Sequence, residues 1–176
     1  MIDSLAGKIA VALKNTNQDE TPSVAVMKFA LIVVINTALT VFLSLTISLI
    51  LGSAIDTLIV LCFFGLLHFF SGGYHFKSAM TCTIVSTLTF VLIPHIPISR
   101  DIAYVLTLCS LILILIFAPS NIKNAARIPE KYFPLLKLIS IIIVISTVFF
   151  SLHLLALTYF IQSLTLIKFK KEEVTK

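Results

Sequence analysis

An all-α, polytopic integral membrane helix bundle is the fold class this sequence predicts, with six spans and an amphipathic interfacial helix at its N-terminus. Three observations predict it. Of 176 residues, 59% are hydrophobic and only 12% charged, and mean hydropathy reaches +1.10. A water-soluble domain of this length would carry far more polar surface, so the apolar excess must meet lipid. The apolar residues also fall in long blocks separated by Gly, Pro and charge, which is the pattern of spans and loops. Finally, the basic residues gather at alternate block ends, as membrane topology requires.

The elements follow in chain order within a single membrane domain. Residues 1–14 read as an amphipathic helix, with Ile2, Leu5, Ile9 and Leu13 on one stripe and Asp3, Ser4 and Lys8 off it. The start has no basic n-region and no small-residue cleavage site, so no cleaved signal peptide is expected. Residues 15–26 form a polar linker ending in Thr21-Pro22-Ser23. The bundle then occupies residues 27–167, since roughly 20 helical residues cross a hydrocarbon core of about 30 Å. Its first span covers Met27 to Leu51 and is broken by Gly52-Ser53; the second covers Ile55 to Phe70. A short third span, from Ser78 to Ile93, is stopped by Pro94-His95-Ile96-Pro97, and a fourth, from Ile102 to Ala118, is closed by Pro119. A polar loop with Lys123, Arg127, Pro129, Glu130 and Lys131 precedes the long run from Leu135 to Ile167.

Charge decides how that run is folded. As one straight helix it would be about 50 Å long, well beyond a single membrane thickness. As a hairpin turning near Ser151 to Leu155 it supplies a fifth and a sixth span. With the N-terminus inside, six spans leave 12 of the 13 Lys and Arg residues on the cytoplasmic face and only Arg100 outside. A five-span chain would carry the basic tail, residues 168–176, outward against that bias. Six spans also place the segment around Gly72-Gly73 on the cytoplasmic face, in the membrane of a cell whose interior is reducing. The odd set of Cys62, Cys82 and Cys109 agrees, because its spacing implies no disulfide framework.

Chemistry concentrates in Ser71-Gly72-Gly73-Tyr74-His75-Phe76-Lys77-Ser78, with Cys82 seven residues after His75. Cys62 and Cys109 lie mid-span among Leu, Ile and Phe and are expected as small buried hydrophobes. Cys82 starts a span near a histidine, a lysine and a helix N-terminus, each of which favours the thiolate. On one continuous helix His75 and Cys82 would stand about 10.5 Å apart along the axis, too far for proton transfer. The histidine must therefore sit on a non-helical turn, for which Gly72-Gly73 supplies backbone freedom. Ser78 can cap the following helix, whose positive end lies one turn before Cys82, and exposed amides there could hold an oxyanion. Without that chemistry, the two glycines are a sharp helix-to-helix turn. His68, His75 and Cys82 share a spacing of seven, yet on one helix they span about 21 Å and no fourth ligand lies near, so no metal and no other cofactor is expected. His68 is expected to face the bundle interior. Asp56, about 18 Å from His68 along a helix, reads as an interface charge, and His95 and His153 lie at the outer face.

The Gly-Gly-Tyr-His stretch, the His-to-Cys spacing of seven and the flanking hydropathy resemble the accessory gene regulator B (AgrB) family of bacterial membrane cysteine endopeptidases. Ala118-Pro119 opening a basic loop, and Ile128-Pro129-Glu130-Lys131 within it, resemble the family's loop between its fourth and fifth spans. The resemblance covers nearly the whole chain, although only the motif is specific. It implies that His75 and Cys82 are the catalytic pair, without an orienting carboxylate. It implies a substrate, an AgrD-like autoinducer propeptide, cut through a thioester on Cys82 and cyclised to a thiolactone or a lactone for quorum sensing. His68, Gly72, Gly73, Lys77, Ser78, Lys123, Lys131 and Lys137 are the residues expected to support the motif or meet the substrate, whose acidic tail a basic face attracts. The family usually carries an arginine a few residues before the glycines, where this chain has His68. A homodimer is expected, since a second copy could cover polar backbone near the motif.

Two other classes stand against that reading. A small transporter or channel would line the midplane with ionisable groups, whereas Asp56, Arg100 and Asp101 all lie near the outer face. A membrane-structural protein would leave Cys82 inert, which thiol labelling distinguishes. The lysines follow topology and form no aromatic-interleaved patch, so no nucleic-acid partner is expected.

Overall fold

In lipid, an apolar run satisfies its backbone through the i→i−4 ladder, and the apolar runs among the described residues take that route. The computed structural model describes residues 2–16, 21–74, 76, 78–120, 129–150 and 153–167. Among them are α1 (Ile2–Thr16), α2 (Val24–Ile50), α3 (Ala54–Ser71), α4 (Ala79–Leu92), α5 (Arg100–Phe117), α6 (Phe133–Phe150) and α7 (His153–Leu164), with 3-10 turns at Ile93–His95 and Glu130–Tyr132. Three of them, α2, α3 and α5, are long and apolar enough to cross a membrane, and α4 and α7 are shorter apolar helices. The fold is thus the expected all-α membrane helix bundle. One helix ends at Phe150 and the next begins at His153; residues 151 and 152, at the start of the interval expected for the turn of the C-terminal run, fall outside the described residues.

Large side chains left without protein cover show where the apolar excess goes. Ile50, Ile55 and Phe69 are 82%, 76% and 72% exposed, which only a lipid environment makes favourable. Cys62 also lies exposed on α3, contrary to the expectation of a buried site. Lipid serves a small apolar thiol as well as a protein core does, so nothing forces it inward. Several buried serines and threonines return their hydroxyls to their own helix. Thr40 donates to Asn36 O at 2.8 Å, Thr107 to Ala103 O at 2.9 Å and Ser110 to Leu106 O at 2.7 Å.

The chain divides into two compact units, Met1–Ala54 with His75–Val91, and Ile55–Tyr74 with Leu92–Lys176. In the first, α1 packs on α2, burying Ile2, Ala6 and Ala10. The packed face is turned from the expected stripe toward the alanines, which permit a closer helix approach, while Leu5 and Leu13 remain exposed. Helix α2 starts at Val24, three residues before the expected span, because Ser23 accepts a bond from Val26 N and caps it. Thr83 of α4 donates to Asn36 Oδ1 of α2 at 2.6 Å, a cross-helix bond between two polar groups on apolar helices.

The second unit has a core of Leu67, Ile114, Ala118, Val144, Leu155, Tyr159 and Leu166. The Tyr159 ring meets Phe63 edge-on at 6.4 Å. Helix α5 packs against both α6 and α7, and Thr107 and Thr147 hydroxyls approach to 3.4 Å between α5 and α6. At one end of this unit the C-terminal ends of α3, α5 and α7 come together. Ser120 N donates to Ser71 O at 2.9 Å, and Tyr74 N donates to Thr165 O at 2.8 Å. Tyr74→Cys with Thr165→Cys, in a chain freed of its native cysteines, should therefore be bridged in membranes by a short bifunctional thiol reagent. If α6 and α7 together made a single crossing, those positions would lie on opposite faces about 30 Å apart, and no bridge would form.

Candidate active site

The motif divides between the two units: Ser71 to Tyr74 belong to the second, and the chain from His75 to Val91 to the first. His75, Lys77 and Lys123 fall outside the described residues. In the first unit, Cys82 is the fourth residue of α4 and half-buried. Its amide donates to Ser78 O at 3.0 Å, and the Ser78 hydroxyl accepts from Thr81 N at 3.4 Å. Ser78 is thus the expected cap. The residue next to Cys82 in sequence, Thr83, is fully packed and bonded to Asn36, which fixes the rotation of α4 about its axis. Cys82 therefore sits in the first turn of a helix, where unpaired amides and the positive dipole end favour negative charge.

In the second unit, α3 ends at Ser71 and the chain turns through Gly72 and Gly73 for two different reasons. Gly72 has φ +71°, a left-handed conformation that a side chain disfavours. Gly73 is required by space: a Cβ there would stand 2.5 Å from Thr165 Oγ1, 2.8 Å from His68 Cε1 and 2.9 Å from His68 Nδ1. The turn is held from α7 by Gln162, whose side-chain Nε2 donates to Gly72 O at 2.8 Å and to Ser71 Oγ at 3.1 Å. Its Oε1 accepts from Thr165 Oγ1 at 3.1 Å and lies 3.2 Å from His68 Nδ1. Because Oε1 can only accept, the shared proton belongs to His68, which fixes that imidazole with Nδ1 protonated. Its ring also stacks on Phe64, 6.1 Å between centroids. His68 thus faces the bundle interior, as expected of a lone imidazole in a span.

The remaining basic positions make local contacts. Lys137 donates to Leu115 O at 2.6 Å, satisfying a carbonyl in the last turn of α5 where a cation is electrostatically favoured. Lys131 stands 4.9 Å from the centroid of the Tyr132 ring. Among the described residues no group of three His, Cys, Asp or Glu side chains could hold a metal ion. Sequence reading gave no role to Gln162, Thr165, Ser71 or Ser120. Gln162 had one signal, being a lone amide inside an apolar run of 33 residues, a setting that directs polar groups inward.

Comparison with known proteins gives the chain its relatives. The family model described as Accessory gene regulator B matches residues 2–169. The chain is 31% identical over 134 residues to the Accessory gene regulator protein B of Staphylococcus saprophyticus subsp. saprophyticus, covering 74% of this chain and 70% of that protein. It is 26% identical over 184 residues to the Accessory gene regulator protein B of Staphylococcus aureus strain JH9, covering 97% of this chain and 98% of that one. No solved structure matches the chain.

The two glycines should respond differently to a methyl group. Gly72→Ala places a side chain in left-handed backbone and should cost about 1–2 kcal/mol. Gly73→Ala should destabilise more, and Thr165→Ala added to it should restore part of the loss by removing the nearest clash. Thermal unfolding of the detergent-solubilised protein measures both effects. A Gly73→Ala protein as stable as the parent would mean that the turn is not packed against Thr165 and His68.

Proposed function

The chain belongs to the accessory gene regulator B family, and we propose that it is a membrane cysteine endopeptidase that trims and cyclises an autoinducing-peptide precursor for quorum sensing. The observation that carries this reading is Cys82 in the capped first turn of α4, seven residues after a histidine that follows a glycine-built turn. A thiol in that position has the chemistry of a nucleophile, and an inert structural thiol has no need of it. The substrate is an AgrD-like propeptide lying on the cytoplasmic membrane surface.

His75 takes the proton from Cys82, and the sulfur attacks the carbonyl carbon at the junction between the future ring and the C-terminal tail. Two amides of the first turn are already committed to Ser78, those of Thr81 and Cys82. The developing oxyanion therefore takes the earlier ones, Ala79 and Met80, with the dipole of α4 behind them. As the carbon–nitrogen bond breaks, His75 returns its proton to the leaving amine, and the tail departs with a free N-terminus. The peptide remains on Cys82 as a thioester, in which the acyl group stays activated. An internal Cys thiol or Ser hydroxyl of the peptide then attacks that carbonyl, the bond to Cys82 breaks and the sulfur is reprotonated. The product is a thiolactone or a lactone. Exclusion of water at the membrane edge favours this second nucleophile over hydrolysis.

Sidedness follows from the charge pattern. Both termini, the motif and the loop carrying Lys123 and Lys131 lie in the cytoplasm, where Lys137 adds its charge near the end of α5. That basic face draws in an acidic propeptide tail.

Co-expression with the propeptide, read by mass spectrometry, tests the proposal. Cys82→Ala should abolish cleavage, and His75→Ala should slow it by roughly 10²–10⁴, the usual contribution of a positioned general base. Cys62→Ala and Cys109→Ala should leave processing largely intact. A thioester adduct trapped on Cys82 supports the covalent route, and normal processing by Cys82→Ala would overturn it.

A further inference from the structure

The amide of Gln162 is wholly enclosed, with 0% of the residue exposed, and it makes four polar contacts at once. It donates to Gly72 O and Ser71 Oγ, and accepts from Thr165 Oγ1 and the His68 ring. Both N–H groups of this primary amide are used, and its oxygen faces the His68 ring and the Thr165 hydroxyl, whose single proton also reaches the backbone O of Gln162 at 2.7 Å. Ser71 does not compete for the same protons, because its own hydroxyl donates to Leu67 O at 2.7 Å. Three of the four partners, His68, Ser71 and Gly72, lie on either side of the point where α3 stops and the glycine turn begins.

An interaction that served stability alone would be expected to join helix to helix. This one joins α7 to the first carbonyl beyond α3, the carbonyl of the left-handed Gly72. Two residues further on, the amide of Tyr74 is fixed to Thr165 O, and Gly73 between them has no room for a side chain. The path of the chain is therefore set at three consecutive residues, each from the C-terminal end of α7. The next residue in sequence is His75.

We infer that Gln162 is a positioning residue for the peptidase reaction: it holds the Gly72 carbonyl and the His68 imidazole so that the chain leaves the turn toward His75 along one path. This inference rests on the peptidase reading above and extends it to a residue of the last helix, 80 positions after the nucleophile. It acts through the turn and touches no reacting atom. General-base catalysis demands reach of about 3 Å, and a misplacement of about 1 Å from a distant change can cost roughly 100-fold in rate. A fixed exit from the turn is what that tolerance needs.

The test uses the full-length chain in native membranes with its propeptide. Gln162→Met keeps the volume and removes all four polar contacts; Thr165→Val keeps its shape and removes one. Gln162→Met should lower kcat for tail release roughly 10- to 100-fold with KM little changed, and Thr165→Val should lower kcat by a smaller factor in the same sense. His68→Ala combined with Gln162→Met should lose less than the product of the two single effects, because both act on one contact. Unchanged kcat in Gln162→Met, expressed per molecule of protein in the membrane, overturns the inference. If Gln162→Met does not accumulate, the same decision falls to Thr165→Val and His68→Ala, and wild-type kcat in both overturns it. A Cys82→Ala protein run alongside separates the two failures. Its inactivity with a fully active Gln162→Met removes the positioning role alone, whereas its activity removes the peptidase reading itself.

Discussion

A backbone that leaves its helix inside an apolar bundle must find new partners for its amides and carbonyls, because the surroundings offer no water to replace the lost ladder. The turn after α3 meets that constraint at three of its backbone groups. Ser71 O receives an amide from Ser120, Gly72 O receives the side-chain amide of Gln162, and Tyr74 N finds Thr165 O. The partners come from two other chain segments, Ser120 from beyond α5 and Gln162 and Thr165 from the end of α7. The C-terminal ends of α5 and α7 are consequently tied to the end of α3, and the core of Leu67, Ile114 and Tyr159 is drawn together beneath them. Had Gly72 been replaced by ordinary helix, none of these ties would be needed and the motif would have run straight on.

The distribution of polar bonds shows why so few of them can matter. Most Ser and Thr hydroxyls of the bundle bond to carbonyls of their own helix, which removes the penalty of burying them and specifies no partner. Cross-helix bonds are the ones that carry information about the fold: Thr83 to Asn36 in the first unit, and Thr107 to Thr147 and the Gln162 set in the second. Single interhelical bonds in membranes average about 0.6 kcal/mol, so no one of them holds the bundle together. Their effect is on rotation and register. Thr83 fixes the turn of α4 that carries Cys82, and Gln162 fixes the exit from α3.

The fold was legible because lipid leaves helices little choice. Length, hydropathy and the breaks at Gly52 and Pro119 located the helices, and the charge bias divided the last run near where α6 gives way to α7. Boundaries moved where capping overrode hydropathy, as at Ser23, which opens α2 ahead of its apolar residues. The packing face of α1 moved because alanines, with little hydropathic weight, allow the closest approach. At the site, the place of Cys82 in the first turn of α4 and the cap at Ser78 followed from local spacing. Gln162, Thr165 and Ser120 did not, since their partners around the turn lie between 49 residues (Ser71 to Ser120) and 94 residues (His68 to Gln162) away, and no local pattern encodes such a pairing. Lys137 carries its charge to a helix end, a contact that counting charges by loop could not separate from substrate binding.

Two independent constraints bear on the number of crossings in the proposed threading. The first is charge, which leaves only Arg100 outside when the chain crosses six times. The second is parity, and it ignores charge altogether. Tyr74 and Thr165 are bonded, so the chain between them must cross the membrane an even number of times. Helices α4, α5, α6 and α7 lie in that interval, and four crossings satisfy the condition where three would not. Ser71 and Ser120 impose the same condition on the chain between them, and two crossings in the proposed threading would meet it. In that threading the short α4 and α7 would cross with about 21 Å and 18 Å of helix against a hydrocarbon core of about 30 Å. That shortfall falls on the two helices that flank polar turns, Gly72-Gly73 before α4 and Thr165 after α7, where irregular backbone is tolerated because its partners are already supplied.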